Sequence, residues 1–138
     1  MVVKGDSDEG GQFVPIVLII DDEPEIREIY SLHLSKEFDV RTAANGDVPL
    51  AMMRDHIDIV FIDRHMPGIS GDEFLRQMRA NGLETPVVFI SAVDAQESPD
   101  SLYQAYLSKP ISGAEMKHHV EKYTYLEVTQ SAESLIIC

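Results

Sequence analysis

The chain has 138 residues, enough for one domain with a full hydrophobic core and too few for two ordinary ones. It is 44% hydrophobic and 25% charged, and none of its apolar runs approaches the roughly 20 residues of a membrane-spanning helix. Eleven Lys and Arg against 24 Asp and Glu leave a formal charge of −13, which excludes direct nucleic-acid binding, since phosphate neutralisation needs clustered cations, and leaves metal ions and other cationic partners open.

A solvated acidic surface or a salt-adapted source gives the same balance. Cys138 is the lone cysteine, so no disulfide is available within the chain and a reducing cytoplasm is the expected compartment.

Residues 1–13 open with "MVVKGDSDEGGQ", which has no apolar core after Lys4 and reads as a mobile leader. The domain proper is expected over 14–125. "VPIVLII" (14–20) is a first strand, followed by a helix from about Pro24 to Ser35 with Ile26, Ile29, Tyr30 and Leu34 on one face. "FDVRTA" (38–43) is a weaker second strand. "ANGD" (44–47) is a turn with a cap at Asp47, and a short helix runs on to about Asp55.

"IDIVFI" (57–62) is a buried strand broken only by Asp58, and it runs into Asp63 and the turn "RHMPGISG". A third helix lies in 70–82, with Phe74, Leu75 and Met78 inward and Gly82 at its end. "PVVFIS" (86–91) is the fourth strand. The stretch 92–104 contains Pro99 and few apolar residues, and predicts a loop with at most a short, irregular helix. "AYLS" (105–108) is the last strand, and a final helix spans about Ser112 to Tyr125 with Met116, Val120 and Tyr123 inward. The tail 126–138 is an extension of that helix or a separate tail.

This alternation predicts a doubly wound α/β domain with five parallel strands, in which ligands bind beyond the carboxyl ends of the strands where strand order switches. Asp21 and Asp22 end the first strand, Asp63 the third and Ser91 the fourth, and Lys109 and Pro110 follow the fifth. Two carboxylates about 4 Å apart at an effective dielectric of about 20 repel by roughly 4 kcal/mol, and one lysine does not neutralise three of them. A hard divalent cation does, and Mg²⁺ suits a site of few carboxylates with room for water and phosphate. The five histidines form no ligand set by spacing and read as solvated.

With these residues in place, "IDDE" (20–23), "DRHMPGISG" (63–71), "ISA" (90–92) and "YLSKP" (106–110) together resemble the signature of response-regulator receiver domains of two-component signalling, over about 14–125. The resemblance implies a flavodoxin-like fold and a Mg²⁺-dependent switch that catalyses its own phosphorylation and dephosphorylation. Asp63 would be the phosphoacceptor, supplied by a sensor histidine kinase, a phosphotransfer protein or a small phosphodonor. Asp22 would bind Mg²⁺ directly, Asp21 through water, and His65 through its backbone carbonyl. Lys109 and Ser91 would contact phosphoryl oxygens, Tyr106 would act with Ser91 as a switch, and Pro110 would follow a peptide bond that is often cis.

A second copy of the chain or a downstream effector is a further partner in such domains, and no membrane is implied. The segment 92–104 is shorter than in most receivers, as it is in some from salt-loving archaea, which leaves a shortened or irregular fourth helix. Two competing functions differ at named positions. A haloacid-dehalogenase-like phosphatase needs a second Asp two residues after the nucleophile, where this chain has His65. A pseudo-receiver without phosphate chemistry typically lacks an acidic or Lys position, and all are present here.

Overall fold

The computed structural model describes residues 13–53, 56–92 and 103–124. Within them, strands β1 (Ile16–Ile20), β2 (Asp39–Ala43), β3 (Ile59–Asp63), β4 (Val87–Ser91) and β5 (Ala105–Ser108) alternate with helices α1 (Pro24–Leu34), α2 (Asp47–Met52) and α3 (Gly71–Ala80), and helix α4 covers 113–124. The strands form one parallel sheet in the order β2-β1-β3-β4-β5. The chain therefore steps one way from β1 to β2 and the other way to β3, which opens the switch crevice between β1 and β3.

β1, β3 and β4 are buried at every position, as expected of parallel strands covered on both faces by helices. Their alternate residues fill two layers. Leu18, Ile20, Val60, Ile62, Val87 and Phe89 pack with Phe74, Leu75 and Met78 of α3. Val17, Ile19, Ile59, Phe61, Val88 and Ile90 pack with Tyr30 and Leu34 of α1 and Met116 and Val120 of α4. β2 is an edge strand with only Ala43 buried, which is why its apolar signal in the sequence is weak.

Three local expectations are corrected. Ile29 is 45% exposed, because Ile26, Tyr30 and Leu34 recur every four residues and Ile29 lies about 100° from the middle of that stripe. Asp47 does not cap α2 but is its first residue; its N–H donates to Asn45 Oδ1 at 3.0 Å. β3 begins at Ile59, not Ile57, because Asp58 bends to the chain edge, where its Oδ2 accepts from Ile16 N–H at 2.8 Å and its own N–H donates to Ile16 O at 2.9 Å.

The expected leader to residue 12, the shortened fourth helix within 93–102 and the tail from 125 onward lie outside the described residues. No helix among the described residues is long and apolar enough to cross a membrane.

Candidate functional site: an acidic pocket at the strand ends

The alternation of strand residues explains which side chains meet. Asp21 continues the Val17, Ile19 row, Asp63 the Ile59, Phe61 row and Lys109 the Ala105, Leu107 row, so all three share the phase that faces α1 and α4. At the carboxyl edge the three side chains converge. Lys109 Nζ donates to Asp63 Oδ2 at 3.2 Å and to Asp21 Oδ2 at 3.3 Å, and Glu23 Oε1 lies 3.9 Å away. Asp21 is 1% exposed and Asp63 6%, so both charges are removed from bulk water.

Backbone groups hold the carboxylates. Asp63 Oδ1 accepts from His65 N–H at 3.0 Å, and Asp21 Oδ1 accepts from Glu23 N–H at 2.9 Å. Arg27, in the first turn of α1, donates to the Asp21 carbonyl at 2.6 Å. The loop after β3 closes tightly on the strand: Gly71 N–H donates to Arg64 O at 3.0 Å, and a Cβ at Gly71 would stand 2.9 Å from Arg64 Cα and 3.0 Å from Asp63 O. Only glycine allows α3 to start there without pushing on the Asp63 peptide. The Lys109–Pro110 bond is cis.

Burial pushes the Asp21 carboxyl above its ordinary range, and the neighbouring Asp63 adds to that, against the Glu23 N–H and Lys109. Burial alone would lower Lys109, but Asp21 and Asp63 outweigh it and its pKa is raised. The Tyr30 hydroxyl on α1 is also raised, first by burial. Among the described residues one ammonium thus serves a pocket with surplus negative charge.

Carboxylate oxygens of Asp21, Asp22 and Glu23 lie within 4.8 Å of one another, a hard-oxygen donor set that fits a divalent cation. Glu23, next in the same "DDE" run, was missing from the expected set of Asp21, Asp22, Asp63 and the His65 carbonyl. Its signal was its adjacency to Asp21 and Asp22; it stands at the N-cap position of α1 with no side-chain capping bond. Asp63 is not one of that trio; it shares Lys109 with Asp21 and takes the His65 amide. The His65 side chain is exposed.

Ser91 and Tyr106 fall in the opposite phase. Ser91 follows Val87 and Phe89, is fully buried, and its Oγ is the buried side-chain oxygen without a hydrogen-bond partner among the described residues. Tyr106 is half-buried, pairs with Phe89 across β4 and β5, and meets the Phe89 and Tyr103 rings edge-on at 6.3 Å. Arg64, which no motif had singled out, donates to Tyr106 Oη at 3.2 Å and to Asp72 Oδ2 at 3.0 Å.

The fold is a doubly wound α/β domain that carries paired carboxylates, an ammonium bridging them and a buried hydroxyl without a partner among the described residues at the carboxyl ends of its strands. The model of the response regulator receiver domain family matches residues 17–121, and the chain belongs to that family, a signalling domain of two-component systems. It is similar to a Haloferax volcanii protein described as a candidate transcriptional regulator, 37% identical over 112 residues, which cover 78% of this chain and 19% of the relative. It is also similar to the response regulator SaeR of Staphylococcus aureus, 27% identical over 107 residues, covering 72% of this chain and 46% of SaeR. A crystal structure of a receiver-domain protein from Clostridium thermocellum matches with a TM-score of 0.77 at 22% identity, over 85% of this chain and 99% of that one, a likeness of fold.

Proposed function

We propose that this receiver domain is a phosphorylation-controlled switch that accepts a phosphoryl group on Asp63 from a partner histidine kinase or phosphotransfer protein in the cytoplasm, in a Mg²⁺-dependent reaction. One observation carries the reading: Asp63 is buried at the end of β3 with one oxygen on the His65 N–H and the other on Lys109. A turn carboxylate with only a structural part has no need of a buried ammonium shared with a second aspartate.

In the transfer, a carboxylate oxygen of Asp63 attacks phosphorus in line, the bond from phosphorus to the donor's imidazole nitrogen breaks, and that nitrogen keeps the electron pair. The product is an acyl phosphate, later hydrolysed by water at the same site. Lys109, already on Asp63 Oδ2, neutralises charge on a phosphoryl oxygen. Ser91 Oγ, which has no partner among the described residues to give up, donates to another. Asp22, Asp21 and Glu23 would hold the Mg²⁺, with the His65 carbonyl as a further candidate oxygen. When bound, the ion supplies positive charge to the phosphoryl oxygens.

Incubation with a small phosphodonor, with and without Mg²⁺, followed by intact-mass and peptide mass spectrometry, tests the reading. The expected result is one phosphoryl group, on Asp63, only with Mg²⁺. Incorporation at the wild-type level in Asp63→Asn sinks it.

A further inference from the structure

The residue after the proposed phosphoacceptor is bound on every side. Arg64 N–H donates to Ile90 O at 2.9 Å and Arg64 O accepts from Gly71 N–H, so the backbone is held by β4 and by the start of α3. Asp63 pairs with Ile90, which puts Arg64 in the row of Ser91, and alternation turns its side chain to the face opposite Asp63. That face is the one carrying Phe89 and Tyr106. From the row of Ser91 the Arg64 side chain reaches past β4 to β5, where Nη1 donates to Tyr106 Oη at 3.2 Å and Cζ lies 5.6 Å from the centre of the Tyr106 ring. Nε is anchored the other way, on Asp72 Oδ2 at 3.0 Å in the first turn of α3.

A guanidinium serves here because it is a planar fork: one edge takes a carboxylate while another donor reaches a hydroxyl, and its charge stays within cation–π reach of the ring. The Arg64 side chain is 16% exposed and Asp72 24%, so the pair is shielded more than a surface ion pair. The fully buried, unpartnered Ser91 hydroxyl shares the face that this side chain crosses.

We propose that Arg64, braced on Asp72, is the positioning residue that holds the Tyr106 ring in its resting orientation and so sets how readily modification of the pocket can move it. The proposal rests on the reading of Asp63 as phosphoacceptor for the last step only; the brace itself exists in the unmodified protein. Any inward movement of Tyr106 toward Ser91 breaks the Arg64 to Tyr106 bond while Asp72 retains the guanidinium. The resting state is favoured by that bond.

The test is NMR of tyrosine ring-labelled full chain, with Tyr106 assigned by Tyr106→Phe, in wild type, Arg64→Met, Arg64→Lys and Asp72→Asn, each with and without beryllofluoride and Mg²⁺. In ligand-free Arg64→Met the Tyr106 ring signals are expected to shift toward the position that beryllofluoride produces in wild type. Tyr30 and Tyr123 signals stay in place. Arg64→Lys, which keeps the charge on Asp72 but lacks the fork, is expected to shift part of the way, and Asp72→Asn to shift in the same direction.

Tyr106 signals unmoved in ligand-free Arg64→Met and Asp72→Asn overturn the proposal. So does an equal disturbance of Tyr30 and Tyr123, which would mark general loosening, and so does a wild-type Tyr106 that beryllofluoride leaves unmoved while mass spectrometry finds Asp63 phosphorylated. Absence of phosphoryl transfer to Asp63 sinks the functional reading instead, and the ligand-free spectra still decide whether Arg64 positions the ring.

Discussion

Among the described residues Lys109 is the one side chain that bonds both buried carboxylates, so its loss and theirs have opposite consequences. Lys109→Ala leaves Asp21 and Asp63 facing each other without a cation, and a lost hydrogen bond to a charged group costs about 1.5–3 kcal/mol, so urea unfolding in metal-free buffer should show a destabilisation of about that size. The contribution of Lys109 is fully present below its unfolded pKa and is lost as pH rises through the raised folded value. Asp21 has the same sign with a different meaning. Its folded pKa lies above the ordinary 3.8, so its favourable contribution is present below that value and is lost as pH rises through the raised one. At neutral pH the ionised group therefore costs stability. Asn at this position still accepts from the Glu23 N–H, and metal-free Asp21→Asn should be more stable than wild type at neutral pH, with the difference shrinking as pH falls. A variant less stable than wild type across that range contradicts the assignment.

At the scale of elements, the site depends on how closely α3 is seated on the end of β3. Ser70 caps that helix, its Oγ accepting from Glu73 N–H at 3.1 Å, and Gly71 then passes within contact of the Asp63 and Arg64 backbone. A methyl there meets main-chain atoms at 2.9 and 3.0 Å, which cannot rotate away as a side chain can. Gly71→Ala should destabilise by about 1–3 kcal/mol and slow Asp63 phosphorylation, whereas Gly82→Ala, at a φ of +77° with open space around it, should affect stability alone. Parallel thermal melts and phosphorylation time courses separate the two. The β1–β3 seam at the other end is closed by Asp58 on Ile16, so the residue that interrupts the apolar run is a strand-edge fastener.

For the whole molecule, folding brings Asp21, Asp22 and Glu23 together on a chain whose formal charge is already −13. An ion that binds only the folded state stabilises all of it, by about 2.7 kcal/mol at a hundredfold excess over its dissociation constant. Melting temperature should therefore rise along a magnesium titration, and Asp22→Ala should lose most of the rise. No rise at saturating magnesium counts against the ion site. Much of this was legible in the chain itself. Short apolar runs marked the described strands, helix-period stripes and the "ANGD" turn marked the described helices, and the residues at the strand ends, Asp21, Asp63, Ser91 and Lys109, followed once the strands were taken as parallel, because parallel strands present all their carboxyl ends on one edge. What the sequence could not carry is how side chains divide between the two faces of that edge. Ile29 is apolar and exposed, Glu23 joins Asp21 and Asp22, and Arg64, next to Asp63 in the chain, turns to the other face and reaches a tyrosine 42 residues away. Those outcomes depend on register between strands and on the closeness of α3 to β3, distances set by packing across the sheet and written in no single segment.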